Sequence, residues 1–116
     1  MDKKLLNSFK LSGNISVFIP TVNGSGESID NAEYVKACAQ LFFDCFNGAT
    51  TSPVLNHWVT TEGKGFREKS TIVFAYCQTD VLAEHFGRVI EFCGGMKAEL
   101  SLENVPVEIN GEMYFV

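Results

Sequence analysis

Arginine, long apolar runs and the short motifs of familiar catalytic sites are what this chain has least of. Only two of its nine cations are arginine, and fourteen acidic residues set against them give a formal net charge of -5 and a pI near 4.9. Such a surface repels phosphate-rich partners, so direct nucleic-acid binding is not expected. No apolar run approaches the ~20 residues of a membrane-spanning helix. The amino end, Met1-Asp2-Lys3-Lys4-Leu5-Leu6-Asn7, turns polar too early to form the apolar core of a signal peptide, which points to a cytoplasmic protein. Four cysteines, at positions 38, 45, 77 and 93, form no C-x-x-C pair. In a reducing compartment they are expected as free, buried thiols that act as small hydrophobes. His57 and His85 are far apart, H-E-x-x-H and G-x-S-x-G are absent, and Gly24-Ser25-Gly26 lacks the remaining residues of a phosphate loop. No metal or cofactor is implied.

What is present is a packable core. Hydrophobic residues make up 46% of the 116 positions and charged residues 20%, with fourteen aromatics of which ten are Phe. That length and balance describe one globular domain over residues 1–116, with 1–13 as a lead-in carrying Leu5, Leu6, Phe9 and Leu11. Neither repeats nor linker-like tracts divide it.

Ile15 to Ile19 is β-branched and aromatic and is limited by Pro20, which predicts a first strand. Asp30 followed by Glu33 suggests a capping box, after which Val35, Cys38, Ala39, Phe42, Cys45 and Phe46 form one helical stripe ending at Asn47-Gly48. Two β segments, 54–61 and 66–77, flank Glu62-Gly63-Lys64-Gly65 and should form a hairpin. Thr79 or Asp80 then caps a second helix, with Leu82, Phe86, Val89, Cys93, Met96 and Leu100 in register through Gly94-Gly95. Those glycines weaken the helix by about 1 kcal/mol each without breaking the stripe. Val105 to Ile109 and Glu112 to Val116 flank Asn110-Gly111, the signature of a type I′ hairpin. The order β-α-β-β-α-β-β predicts an α+β, ferredoxin-like antiparallel sheet with an extra C-terminal strand and two helices on one face.

The opposite face then has no helix over it. In the third strand Thr71, Val73, Ala75 and Cys77 are small enough to pack under helices, which assigns Ile72, Phe74 and Tyr76 to the open side, joined by Phe18. Apolar faces of that kind are seldom left in water. Either the lead-in or the extra hairpin folds over it, or a homodimer, another protein or a small molecule covers it. A homodimer through Phe18, Ile72, Phe74 and Tyr76 is the expected arrangement.

The most suggestive polar group is His57-Trp58 with Arg67-Glu68, on the two arms of the central hairpin. A four-residue loop from Glu62 to Gly65 makes Trp58 oppose Lys69 and Val59 oppose Glu68, so that Trp58, Thr60, Arg67 and Lys69 share a face. A cation over the indole would contribute about 0.5–1 kcal/mol. These residues either tie the hairpin together or form a binding pocket in which His57, near Glu68, serves as acid or base.

The stretch from Gly48 to Cys77, with Gly48-Ala49-Thr50, Trp58, the glycine turn and Arg67-Glu68-Lys69-Ser70, resembles a group of small bacterial and phage-associated proteins to which no function is attached. Their pattern is G-x-T, G-x-W and R/T-E-x-S between two helices, then a segment like L-N-Q-E-A-V. Here Asn56 stands in place of the second glycine, and the last segment is Leu100-Ser101-Leu102-Glu103-Asn104-Val105, with Leu102 at the Gln position. The resemblance implies the same fold and carries no activity. The favoured reading is a non-enzymatic protein-interaction module of the kind a phage or mobile element uses against a host protein. The alternative is an enzyme or small-molecule binder whose cavity lies between the sheet face and a second subunit. Convergence of His57, Trp58, Arg67 and Glu68 on one pocket is the observation that would favour the latter.

Overall fold

The computed structural model describes residues 2–116. A short helix α1 (Lys3–Leu6) precedes strand β1 (Gly13–Pro20), helix α2 (Ala32–Phe46), strands β2 (Thr50–Val59) and β3 (Gly65–Cys77), helix α3 (Thr79–Leu100), and strands β4 (Pro106–Ile109) and β5 (Glu112–Phe115). The five strands form one antiparallel sheet in the order β2-β3-β1-β4-β5. This is the ferredoxin-like arrangement with β5 added outside β4.

Alternation along the strands sorts side chains between the two faces. Ile15, Val17 and Ile19 of β1, Val73, Ala75 and Cys77 of β3, and Val107 of β4 are buried on one face against Cys38, Phe42, Cys45 and Phe46 of α2 and Leu82, Val89, Cys93 and Met96 of α3. Phe42 and Phe46 meet edge to face with ring centroids 5.3 Å apart, a favoured aromatic geometry. All four cysteines are free and buried. α3 runs unbroken through Gly94 and Gly95, where an added Cβ would meet nothing within 4 Å. Its stripe is narrower than the sequence suggests. Phe86 is 44% exposed, because it lies beside the core face of α3 and overlooks the short β4–β5 hairpin, whose strands are four residues each.

Local chemistry sets the turns. Asn47 ends α2 in the left-handed conformation (φ 62°), and Asn110 and Gly111 both have positive φ, as a type I′ turn requires. The expected capping box is not formed: Asn31 is the N-cap of α2 and makes no side-chain cap bond, while Asp30 Oδ1 accepts the Ala32 N–H at 3.0 Å. Likewise neither Thr79 nor Asp80 caps α3, whose N-cap is Gln78.

The central hairpin departs from its expected register. Gly63, not Gly65, takes the positive φ (83°), and Gly65 pairs with Val59 as part of β3. The loop closes at Thr60 and Lys64, with the Thr60 N–H donating to the Lys64 carbonyl at 2.8 Å. Trp58 therefore opposes Phe66, His57 opposes Arg67, and Asn56 opposes Glu68. The shift is by three residues, an odd number, so it exchanges the faces expected for one strand relative to the other. β2 also begins at Thr50 and tolerates Pro53 because it is an edge strand.

At the far end of β1, the loop to α2 presses on the end of α3. The Gly24 N–H donates to the Leu100 carbonyl at 2.8 Å, and a Cβ at Gly24 would lie 1.6 Å from the Ser101 carbonyl oxygen. Only glycine fits there, and the contact fixes the start of the 101–105 segment.

Candidate functional site

Phe18, Ile72, Phe74 and Tyr76 all lie on the face without helices: β1 and β3 pair Phe18 with Ile72, Ser16 with Phe74 and Asn14 with Tyr76. Phe18, Ile72 and Phe74 are half-buried and Tyr76 is exposed. Phe74 and Tyr76 meet edge to face at 6.2 Å. The lead-in flanks this face without enclosing it: Phe9 and Leu11 line a cleft with Phe74 and Tyr76. Leu5, Leu6 and Phe9 are 62%, 63% and 80% exposed, and the extra hairpin extends the sheet edge instead of folding over the face.

The same face carries Asn56 and Trp58 of β2, Phe66, Glu68 and Ser70 of β3, Pro106 and Glu108 of β4, and Met113 and Phe115 of β5, by the pairing of each strand with its neighbour. Trp58 stacks on Phe66 with centroids 4.7 Å apart and an interplanar angle of 16°. The expected cation over the indole is replaced by Lys64, whose Nζ lies 5.6 Å from the Phe66 ring centroid. Asn56 Nδ2 donates to Ser70 Oγ at 2.9 Å. Glu108 is engaged structurally, accepting from Ser16 Oγ at 3.0 Å and from the Gly111 N–H.

Where this face meets the 101–105 segment it forms an open groove of about 630 Å³, within the usual range for small-molecule sites. Its walls are Phe18, Trp58, Pro106, Met113 and Phe115. Asn56, Glu68, Glu103 and Asn104 supply its polar groups. A smaller recess, lined by Pro20, Ser70 and Leu102, continues the groove past Glu68 under the 101–105 segment.

Of the four residues singled out in sequence, Trp58 and Glu68 share this groove. His57 borders it, although the alternation of β2 turns its side chain towards the other face. Arg67 points away with His57, so the four do not converge and the expected His57–Glu68 acid–base pair is not formed. Neighbouring residues of a strand face opposite ways, so His57 and Trp58, like Arg67 and Glu68, cannot share a face in any register, and the three-residue change of register groups Trp58 with Glu68 and His57 with Arg67. Glu103, Asn104, Met113 and Phe115 were not anticipated. Alternation outward from the Asn110-Gly111 turn could have placed Met113 and Phe115 beside Pro106 and Glu108, and Glu103 lies in the last segment of the family resemblance.

Chemically the groove is aromatic and acidic. No Lys or Arg lines it. Two carboxylates without a cation suit a positively charged ligand, and the aromatic walls suit a flat ring. Cys38 and Cys93 offer no nucleophile: burial pushes the Cys93 thiol up to about 12 and the Cys38 thiol higher still, with proximity to Cys93 as a second cause. Among the described residues no group of three or more His, Cys, Asp or Glu could hold a metal ion, and no helix is long and apolar enough to cross a membrane.

No known family model matches the chain, and no curated protein matches it in sequence. Two solved structures share its fold. A phage SAM lyase in complex with S-methyl-5′-thioadenosine superposes with a TM-score of 0.65 at 16% identity, covering 96% of this chain and 94% of the other. A phage SAM lyase in the apo state gives a TM-score of 0.62 at 14% identity, covering 91% and 89%.

Proposed function

We propose that this protein is an enzyme that binds S-adenosylmethionine in the open-face groove and cleaves it to S-methyl-5′-thioadenosine. One observation carries the reading: Glu68 and Glu103 line an aromatic groove that contains no Lys or Arg, on a fold shared with a phage SAM lyase that binds S-methyl-5′-thioadenosine. The adenine ring would lie against the Trp58 or Phe115 wall, and the sulfonium would sit within reach of a carboxylate.

The cleavage breaks the bond from sulfur to the amino-acid side chain, and sulfur keeps the electron pair. The cation becomes a neutral thioether. The amino-acid fragment satisfies its carbon by closure of its own carboxylate onto it, so no water is consumed. A carboxylate beside the sulfonium holds substrate more tightly than product, so Glu68 acts in capture and in release of the thioether. Bond breaking depends on the fold of the bound amino-acid chain, held in a near-attack arrangement by the groove.

The groove is open to solvent. A second copy packed through Phe18, Ile72, Phe74 and Tyr76 would close it, since Phe18 belongs to both the groove and the apolar patch. The exposed Tyr76, at 59%, also favours a second reading, in which the patch receives a protein partner and the domain is a non-enzymatic interaction module.

Incubation with S-adenosylmethionine, followed by chromatography of the nucleosides, tests the enzymatic reading. The wild type should release S-methyl-5′-thioadenosine, and Trp58→Ala should lower the rate at limiting substrate roughly tenfold, the loss of one stacking contact of about 1–1.5 kcal/mol. No turnover together with no binding at millimolar ligand would contradict it and leave the interaction module.

A further inference from the structure

On the opposite face, an apolar groove of about 490 Å³ separates α3 from the β4–β5 hairpin. Its floor is Leu82, Phe86, Ile90, Ile109, Tyr114 and Val116, of which Phe86 and Tyr114 are 44% and 45% exposed. The rim is acidic. α3 from Thr79 to Cys93 carries Asp80, Glu84 and Glu91 against the single Arg88, and β5 contributes Glu112, which accepts a hydrogen bond from the Tyr114 hydroxyl at 2.9 Å. β5 is also an edge strand, so its outer backbone groups pair with no neighbour.

The chain contains a segment of complementary chemistry. Residues 3–11, Lys-Lys-Leu-Leu-Asn-Ser-Phe-Lys-Leu, hold three of the nine cations of an acidic protein, and no residue of α1 is buried. Leu5 and Leu6 lie on α1 and Phe9 follows it, and all are more than 60% exposed. The arm does not occupy the groove of its own chain. Phe9 and Leu11 border a different cleft, lined also by Phe46, Thr50, Phe74, Tyr76 and Val81. The radius of gyration, 15.7 Å, exceeds the ~13 Å of a compact chain of this length, consistent with a projecting arm.

We propose that the α3–β5 groove receives the 3–11 arm of a second copy of this chain. Leu5, Leu6 and Phe9 would cover Phe86, Ile90 and Tyr114, while Lys3, Lys4 and Lys10 face the acidic rim. This surface lies across the sheet from the open-face groove, and the proposal does not depend on the activity proposed above.

Two singly substituted proteins test it, Asn7→Cys in the arm and Ala83→Cys beside the groove, since the four native thiols are buried. Mixed under mild oxidation, they should form a disulfide-linked pair at least tenfold faster than Asn7→Cys mixed with Ala37→Cys on the exposed side of α2. Leu5→Glu/Leu6→Glu/Phe9→Glu should abolish that excess in the Asn7→Cys protein and lower the sedimenting mass, while circular dichroism stays native. Ile72→Glu, on the open face and away from the cleft beside the arm, should leave the cross-link rate unchanged, which separates this contact from any dimer through the open face. Equal rates for the two mixtures would overturn the proposal. So would an Asn7→Cys/Ala83→Cys double variant that closes within one chain, because the arm would then serve its own groove.

Discussion

The two faces of the sheet are made by alternate residues of the same strands and solve different problems. On the helix side, Val73, Ala75 and Cys77 of β3 are small or branched and almost fully buried under α2 and α3. On the other side, Phe74 and Tyr76 of the same strand, with Trp58, Phe66 and Phe115 nearby, keep large aromatic area in contact with solvent. The covered face holds the fold through area removed from water, whereas the open face leaves its rings and carboxylates partly in solvent and is where the proposed recognition would reside.

That division can be broken first where it should be strongest. Phe42→Ala, at a fully buried position of α2, should destabilise the protein by about 3–5 kcal/mol, read as a drop in the urea midpoint. Trp58→Ala, half-exposed on the open face, should cost less than about 1.5 kcal/mol. Comparable losses would mean that the open face also carries the fold.

The hinge between the faces is tested by Gly24→Ala. The added Cβ collides with the Ser101 backbone, which cannot give way as a flexible side chain would, so we expect a loss of about 1–3 kcal/mol. Because residues 101–105 wall the groove, nucleoside affinity should fall with it. A variant that unfolds earlier but binds normally would detach the 101–105 segment from the site.

Alkaline titration probes the covered face through its buried thiols. Burial raises the Cys38 and Cys93 thiols above their ordinary value near 9, Cys93 to about 12. Above about pH 9 the unfolded chain loses these protons while the folded chain keeps them, so stability falls as pH rises. The slope is about 1.4 kcal/mol per pH unit for each thiol, from about pH 9 towards pH 12. Denaturant midpoints measured across that window should fall less steeply in Cys38→Ala/Cys93→Ala.

The smallest effect belongs to the middle of α3. Gly94→Ala adds a Cβ into open space at ordinary helical φ, and should raise stability by up to about 1 kcal/mol. Destabilisation would mean that the helix needs its weak point.

Much of this division was legible in the sequence. The alternation of small and large residues from Thr71 to Cys77 separates the faces, and Asn110-Gly111 specifies its turn because both residues must take positive φ. The central hairpin was not legible, since Gly63 and Gly65 are equally able to supply a left-handed residue and only the folded loop selects Gly63. That choice moves Arg67 off the face of Trp58 and His57 off the face of Glu68. The groove depends on this register and on a loop fixed by contact with Gly24, which is remote in sequence from Glu103. No local pattern encodes such a contact. Phe86 illustrates the same limit, as periodicity places it on the stripe and only the width of the β4–β5 hairpin decides its exposure.

The central claim is that the Glu68 groove recognises a sulfonium nucleoside by charge as well as by shape. Titration calorimetry of wild type and Glu68→Gln with S-adenosylmethionine and with S-methyl-5′-thioadenosine tests it directly, because the two ligands share the adenosyl group and differ in the charge at sulfur and in the amino-acid chain it carries. The account predicts that Glu68→Gln, folded and of unchanged thermal midpoint within about 1 °C, loses roughly tenfold or more in affinity for S-adenosylmethionine and little for S-methyl-5′-thioadenosine, a difference of about 1.4 kcal/mol or more. Equal losses for both ligands, or no loss for either, would contradict it.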